Sequence, residues 1–206
     1  TYFPPTPHHG RPSFAQLLEA ITHSWQTERD RLTGAAARIT KSLSERSGLT
    51  ASGPLDFGMV SYATSAAIDG LARIYDGVDG GFGGAPKFPP SMVLEFLIRM
   101  QKLSEDPRIT AMLDGTCEAM ASGGMYDQLA GGFARYSVDA QWVVPHFEKM
   151  LYDNALLLSA YLHWWRDSRN PLALKVVRET AGFLLRDLQA PEGGFISSLD
   201  ADTDGH

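Results

Sequence analysis

Gly80-Gly81-Phe82, Gly131-Gly132-Phe133 and Gly193-Gly194-Phe195 repeat one signature along the chain, at intervals of roughly 50 to 60 residues that suit a stacked helical-hairpin repeat. Each copy falls in a long connection, at 78–90, at 122–144 and after 188, whereas the connections at 104–106 and 167–170 are short. Helices joined by short turns run antiparallel, and long loops also let the chain reverse. If every helix reverses direction, all three Gly-Gly-Phe loops gather at one end of the stack.

The helices between them are legible from caps and periodicity. Ser13 and Gln16 form a capping box ahead of a stripe of Phe14, Leu17, Leu18, Ile21 and Trp25, and Leu32, Ala36, Ile39 and Leu43 carry a second helix to about residue 47. A Gly/Ser/Pro-bearing stretch then reads as a linker. Further helices are expected from Phe57 to Tyr75, from Ser91 to Leu103 and from Asp106-Pro107 onward, then from Pro145 to about Arg166 and from Asn170-Pro171 to about Leu188. The two acid- or amide-proline pairs each place a cap before proline at the first helical position. The fourth and sixth helices are apolar nearly all round and suit an inner layer, the amphipathic ones an outer layer.

This predicts an all-α fold with essentially no sheet, built of hairpins that close into a two-layer ring at about six copies. With fewer hairpins the inner face stays open, so the chain is expected to be an incomplete piece of a longer protein. A net charge of −6 with scattered Lys and Arg argues against a nucleic-acid surface. The longest apolar run, broken by Ser159 and His163, is too short and too polar for a membrane span. A single cysteine, Cys117, excludes an internal disulfide framework and fits a reducing, cytoplasmic setting.

The polar residues concentrate around the middle loop. His146, Lys149 and Asp153 follow a helical spacing of three and four, and a histidine in a first helical turn is favoured in its neutral, basic form. A capping histidine and an ordinary surface pair are the alternatives the spacing leaves open. Lys87 sits in Gly83-Gly84-Ala85-Pro86-Lys87, whose glycine spacing is not that of a phosphate loop. Asp200, Asp202 and Asp204 copy the opening of a calcium loop, but Gly-Gly-Phe rather than a helix leads in; a polar loop without metal is the expectation. Tyr126, Tyr136, Trp142 and Tyr152 offer stacking faces, and acids, amides and aromatics with few cations suit a neutral, hydroxyl-rich ligand.

Gly-Gly-Phe-Gly-Gly-Ala-Pro-Lys-Phe-Pro at 80–89, Met-Tyr-Asp-Gln at 125–128, Gly-Gly-Phe-Ala-Arg-Tyr-Ser-Val-Asp at 131–139, Val-Pro-His-Phe-Glu-Lys-Met-Leu-Tyr-Asp-Asn-Ala at 144–155 and Leu-Asp-Ala-Asp at 199–202 resemble the YyaL / spermatogenesis-associated protein 20 family, with Ala130 departing from an expected glycine. The resemblance implies a thioredoxin-like domain followed by an (α/α)6 toroid similar to N-acylglucosamine 2-epimerases and six-hairpin glycosidases. Residues 1–47 would then be the tail of the thioredoxin-like domain with connecting helices, 48–56 a linker and 57–206 the first hairpins of the toroid, other parts of the same chain lying on either side. The implied function is a carbohydrate-active enzyme of the sugar isomerase/epimerase or glycosidase type, with His146, Glu148, Asp127 and Asp153 in acid/base roles. Lys87, Tyr126, Gln128, Arg135, Trp142, Lys149, Tyr152, Asp200 and Asp202 would bind a neutral sugar-like ligand, with no cofactor. The alternative is a thioredoxin-linked redox or chaperone-like protein whose toroid only binds.

Overall fold

The computed structural model describes residues 3–8, 10–47 and 56–202. It divides between Phe57 and Gly58 into two compact units. The expected linker lies almost entirely outside the described residues.

In the first unit, helices α1 (Phe14–Thr27) and α2 (Arg29–Ser47) follow one another through Glu28. The capping box forms as the sequence implies: Gln16 N donates to Ser13 Oγ at 3.2 Å, and Ser13 N donates to Gln16 Oε1 at 3.1 Å. Phe14, Leu18, Ile21 and Trp25 are exposed on α1, and Arg29 lies over the Trp25 ring.

The second unit holds α3 (Phe57–Ile74) from its second residue onward, α4 (Ser91–Met100), α5 (Pro107–Ser122), α6 (Leu151–Ser168) and α7 (Pro171–Phe183), the last prolonged by a π-helical turn at Leu184–Leu188. Asp106 and Asn170 cap α5 and α7 as expected, accepting from Arg108 N at 3.0 Å and Leu172 N at 2.9 Å. Successive helices pack as hairpins, α4 on α5 and α6 on α7, while α4 also meets α6 and α5 meets α7. That is the two-layer order, with α4 and α6 as one layer. Leu94, Leu97, Ile109, Met112, Leu113, Leu157, Ala160 and Val176 are fully or almost fully buried between the layers, each large side chain contributing about 1.5–3 kcal/mol. Tyr161 and Trp164 tie α6 to α5 by donating to Cys117 O at 2.7 Å and Asp114 Oδ1 at 2.8 Å.

Two expectations need correction. The helix expected from Pro145 starts at Leu151; residues 145–150 are extended. Strand β1 (Tyr136–Ser137) pairs with β2 (Pro145–His146), and β3 (Lys149–Met150) pairs with β4 (Ser198–Leu199). Backbone pairing with the two neighbouring loops overrides a helical side-chain spacing here. The fold therefore carries two short ribbons, both in its loops.

The loops do meet at one end. Lys87 and Ser137 exchange backbone hydrogen bonds of 2.9 and 2.8 Å between the first and second loops, and β3–β4 joins the second to the third. The first two loops share one construction. Asp76 Oδ1 accepts from Val78 N and Asp79 N, both at 3.0 Å, and Asp127 Oδ1 accepts from Leu129 N at 3.0 Å and Ala130 N at 2.9 Å. A lysine then locks each turn. Lys87 Nζ donates to Asp76 Oδ2 at 2.6 Å and Gly80 O at 2.8 Å; Lys149 Nζ donates to Asp127 Oδ2 at 2.8 Å and Gly131 O at 3.0 Å. An aromatic lid finishes each. A Cβ on Gly81, at φ +84°, would lie 2.5 Å from Trp142, and one on Gly132, at φ +82°, would lie 2.5 Å from Phe183. The third turn keeps the backbone pairing of Gln189 with Phe195 but has Ala190 in place of the aspartate.

The two lysine locks differ in burial. The Lys87 side chain is 0% exposed and that of Lys149 14%. Removing one member of a buried pair strands the other, which costs about 3–5 kcal/mol. Lys87→Met is therefore expected to lower unfolding free energy by about 3 kcal/mol, and Lys149→Met by clearly less. Urea unfolding of both variants measures the difference, and equal losses would contradict the burial argument.

Candidate active site

The chain leaving Gly131-Gly132-Phe133 is anchored from below by Asn154, which is fully buried on α6. Its Oδ1 accepts from Phe133 N at 2.7 Å, and its Nδ2 donates to Phe133 O at 3.0 Å and Met150 O at 2.9 Å. One amide thus holds both the start of the Arg135–Ser137 segment and the end of the 145–150 segment.

Between those segments Asp139 folds the turn. Its carboxylate accepts from Gln141 N at 2.8 Å, Val143 N at 3.1 Å and Val144 N at 2.6 Å, and these amides hold its pKa down. The turn forces Trp142 to φ +63° and delivers its indole to Gly80 O at 3.2 Å. It also returns Pro145–His146 alongside Tyr136–Ser137. His146 is therefore opposite Tyr136, and the two rings stack at 4.6 Å and 11°. Phe88 also packs on Tyr136, with ring centroids 4.9 Å apart.

The polar cluster forms around that ring. Arg135 Nη1 donates to Glu148 Oε2 at 2.7 Å, and Arg135 N donates to Glu148 O at 2.8 Å. His146 Nε2 lies 3.6 Å from the same Glu148 Oε2, within ion-pair range once the imidazole is protonated. The His146 side chain is 35% exposed, so it sits neither on a buried apolar face nor in a helical turn. Glu148, and beyond it Tyr152, raise the Arg135 pKa. Burial pushes the Asp153 carboxyl up to about 6, with the Glu148 charge adding to the rise and Arg135 opposing it. The two carboxyls are thus held differently: Glu148 is paired with a guanidinium, whereas Asp153 is half-protonated only near pH 6 and mostly ionised at pH 7.

The structure brings together His146, Glu148, Arg135, Tyr152 and Asp153. Asp127 and Lys149 are engaged with each other in the turn lock; burial works to raise the Asp127 pKa, but the Ala130 and Leu129 amides and the Lys149 ammonium outweigh it and hold it at about 2. Lys87, Tyr126 and Trp142 are buried in the loop scaffold, Tyr126 donating to Glu179 Oε2 at 2.6 Å. Gln128 Nε2 donates to Ala121 O at 2.8 Å, near the end of α5. Asp200 Oδ1 accepts from Asp202 N at 3.3 Å; Asp204 lies outside the described residues. Because His146 is on a strand, the helical stripe of His146, Lys149 and Asp153 does not exist, nor does a helix dipole acting on His146.

Sequence reading missed Asp76, Glu179 and Phe183. For Asp76 a signal was present: Tyr75-Asp76 and Tyr126-Asp127 stand at the same distance ahead of their Gly-Gly pairs. No contiguous motif marks Glu179 and Phe183, which reach the second loop from α7.

No family model matches the chain. Spermatogenesis-associated protein 20 of Mus musculus is 35% identical over 98% of this chain and 26% of its own length, and its Homo sapiens counterpart matches to the same extent. An uncharacterized Caenorhabditis elegans protein is also 35% identical, over 98% of this chain and 28% of its length. The chain thus spans about a quarter of the length of these relatives. Among solved structures, cellobiose 2-epimerase from Spirochaeta thermophila superimposes with a TM-score of 0.60 at 19% identity, over 70% of this chain and 40% of that one. A sugar epimerase from a ruminal bacterium gives 0.58 at 17% identity, over 65% and 37%. The fold of the chain is that of part of an epimerase-type α/α toroid.

Asp153 gives the site a pH signature. An acid whose folded pKa lies above its unfolded value binds protons on folding, so its contribution to stability falls as pH rises from about 4 through about 6. Asp153→Asn should melt higher than the parent at pH 8, with the gap closing by pH 4. Thermal melts at the two pH values test this; an advantage independent of pH would contradict the assignment.

Proposed function

From the 35% identity to spermatogenesis-associated protein 20 over nearly the whole of this chain, we propose that its loop-end cluster is the acid/base site of a sugar isomerase or epimerase. The observation that carries the reading is Glu148 shared by Arg135 and His146, with an Asp153 whose pKa is raised to about 6 coupled to the same Glu148 and Arg135 charges, so that it exchanges protons readily a little below neutrality. Epimerisation needs a base to take a proton from the carbon next to a carbonyl and an acid to protonate that carbonyl oxygen. A neutral His146 serves as the base. Protonated Asp153 supplies the second proton, giving an enediol, and reversal with delivery to the other face completes the exchange. Arg135 and Tyr152 hydrogen-bond the substrate hydroxyls, and Glu148 stabilises the imidazolium.

The epimerase names of the structural neighbours support a sugar as the ligand class. A glycosidase would use the same two carboxyls differently, one as acid and one as nucleophile or base; the histidine between Tyr136 and Glu148 favours proton exchange. The proposal includes a cytoplasmic protein with residues 1–47 forming the tail of a thioredoxin-like domain, on the strength of the sequence resemblance. No described helix is long and apolar enough to cross a membrane. Cys117 is fully buried with its thiol pKa raised, so thiol chemistry, if the intact protein performs any, belongs elsewhere in it.

The test is carbon-bound hydrogen exchange in deuterated water, followed by NMR for a panel of mono- and disaccharides with the intact protein. The parent should wash deuterium into the position next to the carbonyl. His146→Gln should slow this by about two to four orders of magnitude while melting close to the parent. A loss of stability with undiminished exchange in the folded fraction would make His146 a packing residue. Absence of exchange from every sugar, with disulfide reduction by the same preparation, would favour the thioredoxin-linked alternative.

A further inference from the structure

A second polar cluster lies apart from the loops, between α4 and α6. On α6, Tyr161 and Trp164 face α5; Ser159, His163 and Arg166 fall on the opposite side by helical spacing. There His163 Nδ1 is 2.7 Å from Glu95 Oε1, the Ser159 hydroxyl is 3.4 Å from the same oxygen, and Arg99 Nη2 is 3.7 Å from Glu95 Oε2. Lys102 Nζ bridges to Asp167 Oδ1 at 2.9 Å. Glu95, Arg99, Lys102, His163, Arg166 and Asp167 line a cavity of about 200 Å³ together with Ile98.

The charges around it do not balance. Glu95 and Asp167 each have a close partner, in His163 and Lys102. Arg99 keeps only its long contact and is 73% exposed, and Arg166 has no hydrogen-bond or ion-pair partner among the described residues. Cations in the last turns of α4 and α6 suit the carbonyl ends of those helices. That explains Arg99 and Arg166, but not why a histidine, a serine and an acid are tied together next to them. With Glu95 ionised, Nδ1 of His163 is the donor to it, and in the imidazolium form Nε2–H is a second donor directed away from Glu95 and available to an anion.

We propose that this groove is a second binding site, for a small oxyanion of the carboxylate or phosphate class, held by Arg166 and Arg99 with His163 oriented by Glu95. The cavity is below the usual size for a drug-like ligand and fits a compact anion. The helix ends oppose an anion, but that effect is weaker than charge-assisted hydrogen bonds from arginine. The site does not depend on the sugar-enzyme reading.

Imidazole NMR signals of the full chain, titrated with inorganic phosphate, acetate and, as control, chloride at matched ionic strength, test it. Phosphate or acetate should shift the His163 signal saturably at millimolar concentration, leave His146 unmoved, and identify the class by whichever saturates first. Arg166→Gln, an exposed substitution, should weaken the response at least tenfold. A His163 response identical in chloride, no response at all, or an undiminished response in Arg166→Gln would each overturn the proposal.

Discussion

A lysine ammonium that reaches an aspartate and a glycine carbonyl together is the contact on which the loop end depends. Two consecutive glycines at positive φ form a turn that few other sequences can make, and the turn alone has little to hold it. The aspartate four residues ahead of the first glycine gathers the turn's amides, and the lysine ties that carboxylate to the carbonyl the glycines expose. A buried ammonium is tolerable only because both acceptors are supplied by the same turn. Because each lysine sits on backbone paired with the following loop, the lock also sets where that loop lies. The position of His146 is inherited from this chain of contacts.

Much of the fold was legible because it rests on local rules. The Ser13–Gln16 box and the Asp106-Pro107 and Asn170-Pro171 starts each express a helix end in two or three adjacent residues, and the alternation of long and short connections followed from them. The misreading at 145–150 has the opposite cause. Pro145 and the spacing of His146, Lys149 and Asp153 are all compatible with a helix, and only the partners at Tyr136–Ser137 and Ser198–Leu199 make the segment extended. Those partners are distant in sequence, and nothing in 145–150 announces them.

The candidate site shows the same division. A polar concentration around 125–153 was visible, but not its sorting into scaffold and cleft. Asp127 and Lys149 carry the residue types of a catalytic pair and are consumed in a turn; Arg135 and Glu148 carry the same types and meet beside His146, with Asp153 coupled to their charges. Burial and partner geometry separate the two groups, and residue type does not. The internal repeat held part of the answer, because an acid–lysine pair that recurs in equivalent loops is more simply architecture than chemistry.

The aromatic lids give the stack a polarity. Trp142, which closes the turn at Gly80-Gly81, comes from the next loop, and Phe183, which closes the turn at Gly131-Gly132, comes from the next hairpin. Both of these turns are therefore finished by residues synthesised later. On a ribosome, the first turn would wait for the second loop to emerge, and the second for α7. Assembly by this route is vectorial, and a nascent chain halted within a hairpin exposes an uncovered glycine pair at its leading edge.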